Sequence, residues 1–105
     1  MHHRFRLSIL ILSLSLTTAA AASTPAAFAG ERRAAMRACT SVSDLDRPVV
    51  HRVIAFSDAV GVDAMLVTGR WRPKHMHGAA ATLLCLYARA AKRAEVSEAP
   101  GWSVR

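Results

Sequence analysis

No apolar run in this chain reaches the roughly 20 residues needed to cross a bilayer. The best candidate, Leu7–Leu16 (LSILILSLSL), is interrupted by Ser8, Ser13 and Ser15 and fades into Thr17, Thr18 and alanine, which argues against a membrane anchor. Cysteine is limited to Cys39 and Cys85. A structural zinc site needs four ligands and a catalytic one three plus water, and the chain has no His pair spaced as a zinc finger requires. Acidic residues are only seven, against fourteen basic ones. Asp44 and Asp46 read as turn or cap residues, Asp58 follows Ser57 at a turn, and Asp63 is placed to pair with an arginine. Ser57, His51 and Asp58 are the residue types of a hydrolytic triad, yet no nucleophile elbow surrounds Ser57, and triads rest on geometry rather than composition. Neither an enzyme nor a cofactor is expected. Lysine occurs only at Lys74 and Lys92, so the excess charge is almost wholly arginine. An alanine- and arginine-rich, lysine-poor protein is what a GC-rich bacterial genome encodes. Charge alone therefore does not identify a polyanion partner.

The N-terminus has the layout of a secretory signal peptide. Arg4 and Arg6 precede the Leu7–Leu16 run, and small residues lead to Ala27-Phe28-Ala29 before Gly30. The expected cleavage lies between Ala29 and Gly30, with a second candidate after Ala20-Ala21-Ala22, before Ser23. Cys39 follows Met36-Arg37-Ala38, and the arginine argues against a lipoprotein. Residues 1–29 thus form a cleaved leader, and the product is periplasmic or secreted. Their removal leaves 76 residues and lowers the formal charge from +7 to +5. One small domain of this size is only marginally stable on its core alone. In an oxidising compartment the two cysteines have one intramolecular pairing, Cys39–Cys85, and a loop of that length supplies roughly 4 kcal/mol in the chain-entropy model.

The exported part divides into an arm at 30–48, a β-rich domain at 49–99 and a tail at 100–105. In Gly30–Thr40, Ala34, Ala35 and Ala38 favour a short helix, and Ser41–Pro48 reads as a turn. Val49–Val60 fits either a helix capped by Asp46 and Gly61 or a strand with a turn at Ser57–Gly61. The crowded β-branched residues Val49, Val50, Val53 and Ile54 favour the strand. Val62–Trp71 is a firm strand with Met65, Val67 and Trp71 on one face and Ala64 and Leu66 on the other. Arg72–Gly78 is a loop. Ala81–Arg89, apolar on both faces, reads as a central strand. Ala90–Arg93 turns, Ala94–Glu98 alternates as an edge strand, and Pro100-Gly101 leaves Trp102 in the tail. The fold class is mainly β or α+β: a small antiparallel meander of three to four strands, with one short N-terminal helix tied on by the disulfide.

Two groups of residues are candidates for binding. Arg70, Trp71, Arg72 and Lys74 form a basic stretch containing an aromatic, and Arg89 and Arg93 flank the next turn with Lys92. Such groups meet phosphate or carboxylate on an anionic surface. Successive turns of a meander lie at opposite ends, so one united patch is not expected. His75, Met76 and His77 offer two imidazoles and a thioether for copper or zinc outside the cytosol, with His51 as a third nitrogen if the loop is extended. Trp71, Tyr87 and Trp102 are candidate anchors for a protein partner. The leading expectation is a small exported bacterial protein that binds an envelope protein or an anionic surface without catalysis. Metal binding through His75, Met76 and His77 is the alternative.

Overall fold

The computed structural model describes residues 10–15 and 24–104. One helix packs on one face of an antiparallel sheet of five strands. The helix, α1, spans Pro25–Ser43. Thr24 caps it, its hydroxyl accepting from the Ala27 N–H at 3.1 Å, and Pro25 occupies the first turn, where its missing N–H removes no helical bond. Alanine then supports the helix until Asp44, in the left-handed conformation, ends it. The helix is longer at both ends than the composition of residues 30–40 implies. Ala35, Cys39 and Ser43 recur every four residues and are its buried stripe. All three are small, so the helix backbone lies close to the sheet.

The strands are β1 (Leu45–Val50), β2 (Ile54–Ala55), β3 (Val62–Trp71), β4 (Ala80–Ala88) and β5 (Arg93–Glu98). β1 and β2 both pair with β3 along the same edge, and β4 and β5 follow in order. They are one strand path, interrupted at 51–53, so the architecture is a four-position meander. Of the two readings of Val49–Val60, the strand is the one observed, and its turn returns the Val60 and Gly61 N–H groups to the Ser57 carbonyl at 3.0 and 2.7 Å.

Ser41–Pro48 is not a turn as its polar composition suggests. The reversal is compressed into Asp44, and pairing begins at Leu45, opposite Trp71. Arg47 adopts a positive φ of 48°, Pro48 follows, and the register shifts between Asp46 and Val49. This bulge admits a proline that cannot donate to the ladder. Gly69 faces it across the pair, where a Cβ would meet the Asp46 carbonyl oxygen at 3.0 Å and Leu45 Cβ at 3.1 Å. Glycine at 69 is what lets β1 approach.

The core lies between α1 and the inner sheet face. Leu45, Met65, Val67, Leu83, Cys85 and Tyr87 are buried there with Ala35 and Cys39, and Trp71, Ala94 and Val96 pack against them. Cys39 and Cys85 form a disulfide with their Cα atoms 5.9 Å apart, tying α1 to the central strand β4. No helix among the described residues is long and apolar enough to cross a membrane.

Candidate functional site

The side chains that alternate with the core residues point to the opposite face, which no helix among the described residues covers. Register sets out its rows. Ile54, Ala64, Leu86 and Glu95 form one, Leu66, Leu84 and Ser97 the next, and Thr68 and Thr82 a third. The first two rows are apolar at their centre. After β5 the Ala99 N–H bonds the Thr82 carbonyl at 2.9 Å and the chain turns at Pro100-Gly101, the Trp102 N–H reaching the Ala99 carbonyl at 3.1 Å. Trp102 and Val104 then border this face. Between the tail and the β1–β2 edge lies an open groove of about 400 Å³, bounded by Ile54, Phe56, Ala64, Leu66, Leu84 and Leu86 as well as Trp102 and Val104, with His51 and Arg52 at its margin. Leu86, Phe56, Ile54 and Trp102 are 44%, 48%, 56% and 57% exposed, which makes a contiguous apolar surface rather than scattered side chains.

His51 is held at this margin. Its N–H bonds the Leu66 carbonyl at 2.9 Å, and its Nε2 shares a 2.7 Å hydrogen bond with Thr68 Oγ1. Arg52, beside it, is exposed. The break between β1 and β2 frees both from strand alternation, which is why two consecutive side chains border one groove.

The two candidate basic clusters are divided between the two ends of the sheet. Arg70 pairs with Ala80 at one end, while Ala88 pairs with Arg93 at the other. The antiparallel register therefore keeps the two clusters apart. Arg70 donates to the Gly78 carbonyl at 3.0 Å, and Arg72 to the Leu45 carbonyl at 3.1 Å. Trp71 is half-buried against the core, while Lys74 and Arg93 are exposed. Arg89 has an internal task. It donates to Asp63 Oδ1 at 2.7 Å, to the Phe56 and Ser57 carbonyls at 2.9 and 3.1 Å, and to Asp58 Oδ1 at 3.3 Å. Asp63 is buried, so this guanidinium, with one nitrogen on Asp63 and the other on Phe56, Ser57 and Asp58, clamps the β2–β3 turn onto the end of β4. Asp63 is paired with an arginine, as its sequence context implies.

The His75 segment is not extended. Lys74–Met76 is a single 3₁₀ turn, closed by the Met76 N–H to the Pro73 carbonyl at 3.0 Å and the His77 N–H to the Lys74 carbonyl at 3.1 Å. His51 lies opposite Leu66, about 13 Å along β3 from Arg70 at the strand spacing of 3.2–3.4 Å per residue, and does not join these residues. Among the described residues no three His, Cys, Asp or Glu side chains gather as a metal site. Ser57, His51 and Asp58 do not gather either, since His51 bonds Thr68 while Asp58 turns to Arg89.

Ala29 and Gly30, the expected cleavage boundary, sit inside α1, and every buried residue of the helix follows them. The second candidate boundary, Ala22–Ser23, lies outside the described residues. Of the candidate anchors, Tyr87 is buried and Trp71 half-buried, leaving Trp102 exposed. The groove itself is absent from the sequence reading. Its signal is there in the second apolar face of Val62–Trp71 and Ala81–Arg89, but those residues read equally well as covered.

Compared with known protein families, curated proteins and solved structures, the chain matches none.

Proposed function

We propose that this chain is a small exported bacterial protein, disulfide-tied and non-catalytic, that binds an envelope partner through the open face of its sheet. The observation carrying this reading is the apolar groove between β2 and the C-terminal tail, left uncovered among the described residues in a domain whose other sheet face packs against α1. Monomeric soluble proteins seldom expose such a patch without a use for it. Export is supported by the basic, apolar, small-residue order of residues 1–29 and by a disulfide, which persists in oxidising compartments. Cleavage after Ala29 would leave Ala35, Cys39 and Ser43, the whole packed stripe of α1, in the product. Of the two partners expected from the sequence, an envelope protein fits better than a purely anionic surface. The two candidate basic clusters, around Arg70 and around Arg93, are split between the sheet ends, whereas the apolar residues converge.

The test has two parts. Mass spectrometry of the protein from a periplasmic extract is expected to show a truncated N-terminus and no free thiol; an intact leader with two thiols removes the export reading. Envelope fractions are expected to retain the oxidised protein in high salt and to release a Leu86→Asp variant, since charge contacts are screened and apolar contacts are not. Equal retention of both forms would refute binding through this face.

A further inference from the structure

The groove has the chemistry of a site for one alkyl chain with an anionic head. Its floor is Ala64, Leu66, Leu84 and Leu86, with Trp102 forming the wall opposite β2. The charged or ionisable side chains bordering it are His51 and Arg52, both at the end where His51 meets Leu66, and no acidic residue lines it. Among the described residues Arg52 has no carboxylate partner. An apolar slot with cationic capacity at one end complements an amphiphile whose charge sits at one terminus. Volume then limits the ligand. About 400 Å³ lies within the usual range of small-molecule sites, and at the roughly 30 Å³ that a water-sized atom occupies in a liquid it holds about a dozen heavy atoms. That matches the heavy atoms of one medium-length chain seated in the groove, any longer chain extending into solvent. The apolar residues 10–15 do not fill it, since Leu10, Ile11, Leu12 and Leu14 are 76–86% exposed and none lines it.

We propose that the groove binds a single free fatty-acid carboxylate of about ten to twelve carbons, chain against Leu84 and Leu86 and head at Arg52 and His51. This rests on the reading that the open face is the binding face, and it replaces the envelope protein with a free fatty acid as the occupant of the groove. The experiment titrates the oxidised exported protein with saturated fatty acids of six to sixteen carbons, each below micelle formation, by calorimetry and tryptophan fluorescence. One chain per protein is expected, with affinity rising about fourfold per methylene, the equivalent of 0.8 kcal/mol, up to ten to twelve carbons and then levelling. The alcohol of equal length is expected to bind at least about fivefold more weakly, as befits loss of a charge-assisted contact. Arg52→Gln should bring the carboxylate down to the alcohol's affinity, Leu86→Asp should abolish binding of both, and Arg93→Gln should change neither. Unchanged unfolding curves check that the variants fold. Affinity independent of chain length, several chains per protein, or equal binding of acid and alcohol would overturn the proposal. Vesicles of phosphatidylglycerol and phosphatidylcholine form a second arm. Binding to them without binding to free acids assigns the face to bilayers and rejects the free ligand. If fatty acids fail while Leu86-sensitive retention on envelope fractions persists, this inference falls alone. If both fail, the functional reading falls with it.

Discussion

Removing the Cys39–Cys85 bridge is the most informative perturbation of the fold, because the bridge joins the two layers at their centre. The cysteines are 46 positions apart, and closing a loop of that length restricts the unfolded chain by about 4 kcal/mol. A domain of this size has a total stability of roughly 4–11 kcal/mol. The bridge therefore contributes between about a third and all of it. Both cysteines are fully buried, so Cys39→Ala with Cys85→Ala also removes two sulfur atoms from the core, which adds to the loss. At about 4–8 °C per kcal/mol, the double variant should melt roughly 15–30 °C below the oxidised protein. The measurement is urea and thermal unfolding followed by circular dichroism, on the variant and on the reduced native sequence. The loss should be uneven. α1 holds the sheet through Ala35, Cys39 and Ser43, with Met36 and Ala38 only partly buried beside them, so without the bridge its amides should exchange faster than those of β3 and β4. A stability change below about 1 kcal/mol, or helix and sheet losing protection equally, would refute the argument that the bridge carries the docking of the helix.

Two substitutions test the remaining contacts. Arg89→Gln strips the buried Asp63 of its partner at 2.7 Å and releases the Phe56 and Ser57 carbonyls, so it should destabilise by about 3 kcal/mol in urea unfolding. Adding Asp63→Asn should recover part of that by removing the uncompensated charge; no recovery would place the loss in the carbonyl contacts instead. Gly69→Val should destabilise by about 1–3 kcal/mol, because its Cβ meets the Asp46 carbonyl oxygen and Leu45 within 3.1 Å. Exchange of the β1 amides should report it, and a neutral effect would mean that β1 can shift outward at no cost.

The strands that depend on local pattern were legible in the sequence, and the features that depend on layer order were not. Val62–Trp71 is observed with the boundaries its β-branched residues and flanking turn imply, and Ala81–Arg89 is displaced by one residue to Ala80–Ala88. The disulfide followed from there being two cysteines and one pairing. Leu45–Val50 was hidden because Asp46 and Pro48 are turn formers, and a bulge opposite Gly69 accommodates them only once β3 is present. The helix outran its expected ends because Thr24 and Pro25 supply a cap that a reading starting at Gly30 leaves out. For the candidate site, the split of Arg70 from Arg93 follows from antiparallel turns and was expected. The groove was not, since Leu84 and Leu86 look the same in sequence whether a second layer covers them or not. Trp102 borders the groove only because Pro100-Gly101 turns the tail back, a direction that composition does not specify.

The same geometry that opens the face closes the edges. A sheet of this kind can recruit a partner by adding a strand to an edge or by presenting side chains from a face. On one edge, β1 carries the Arg47-Pro48 bulge and the path breaks at 51–53 before a two-residue β2, so no continuous row of backbone groups is offered. On the other, β5 follows Lys92 and bears Arg93, Glu95 and Glu98, exposed charges of the kind that discourage edge pairing. On the proposed function, recognition would therefore run through the side chains of Ile54, Leu86 and Trp102, which are exposed on the open face. Backbone hydrogen bonds would accept almost any extended peptide, so closing the edges is what makes an exposed apolar face selective.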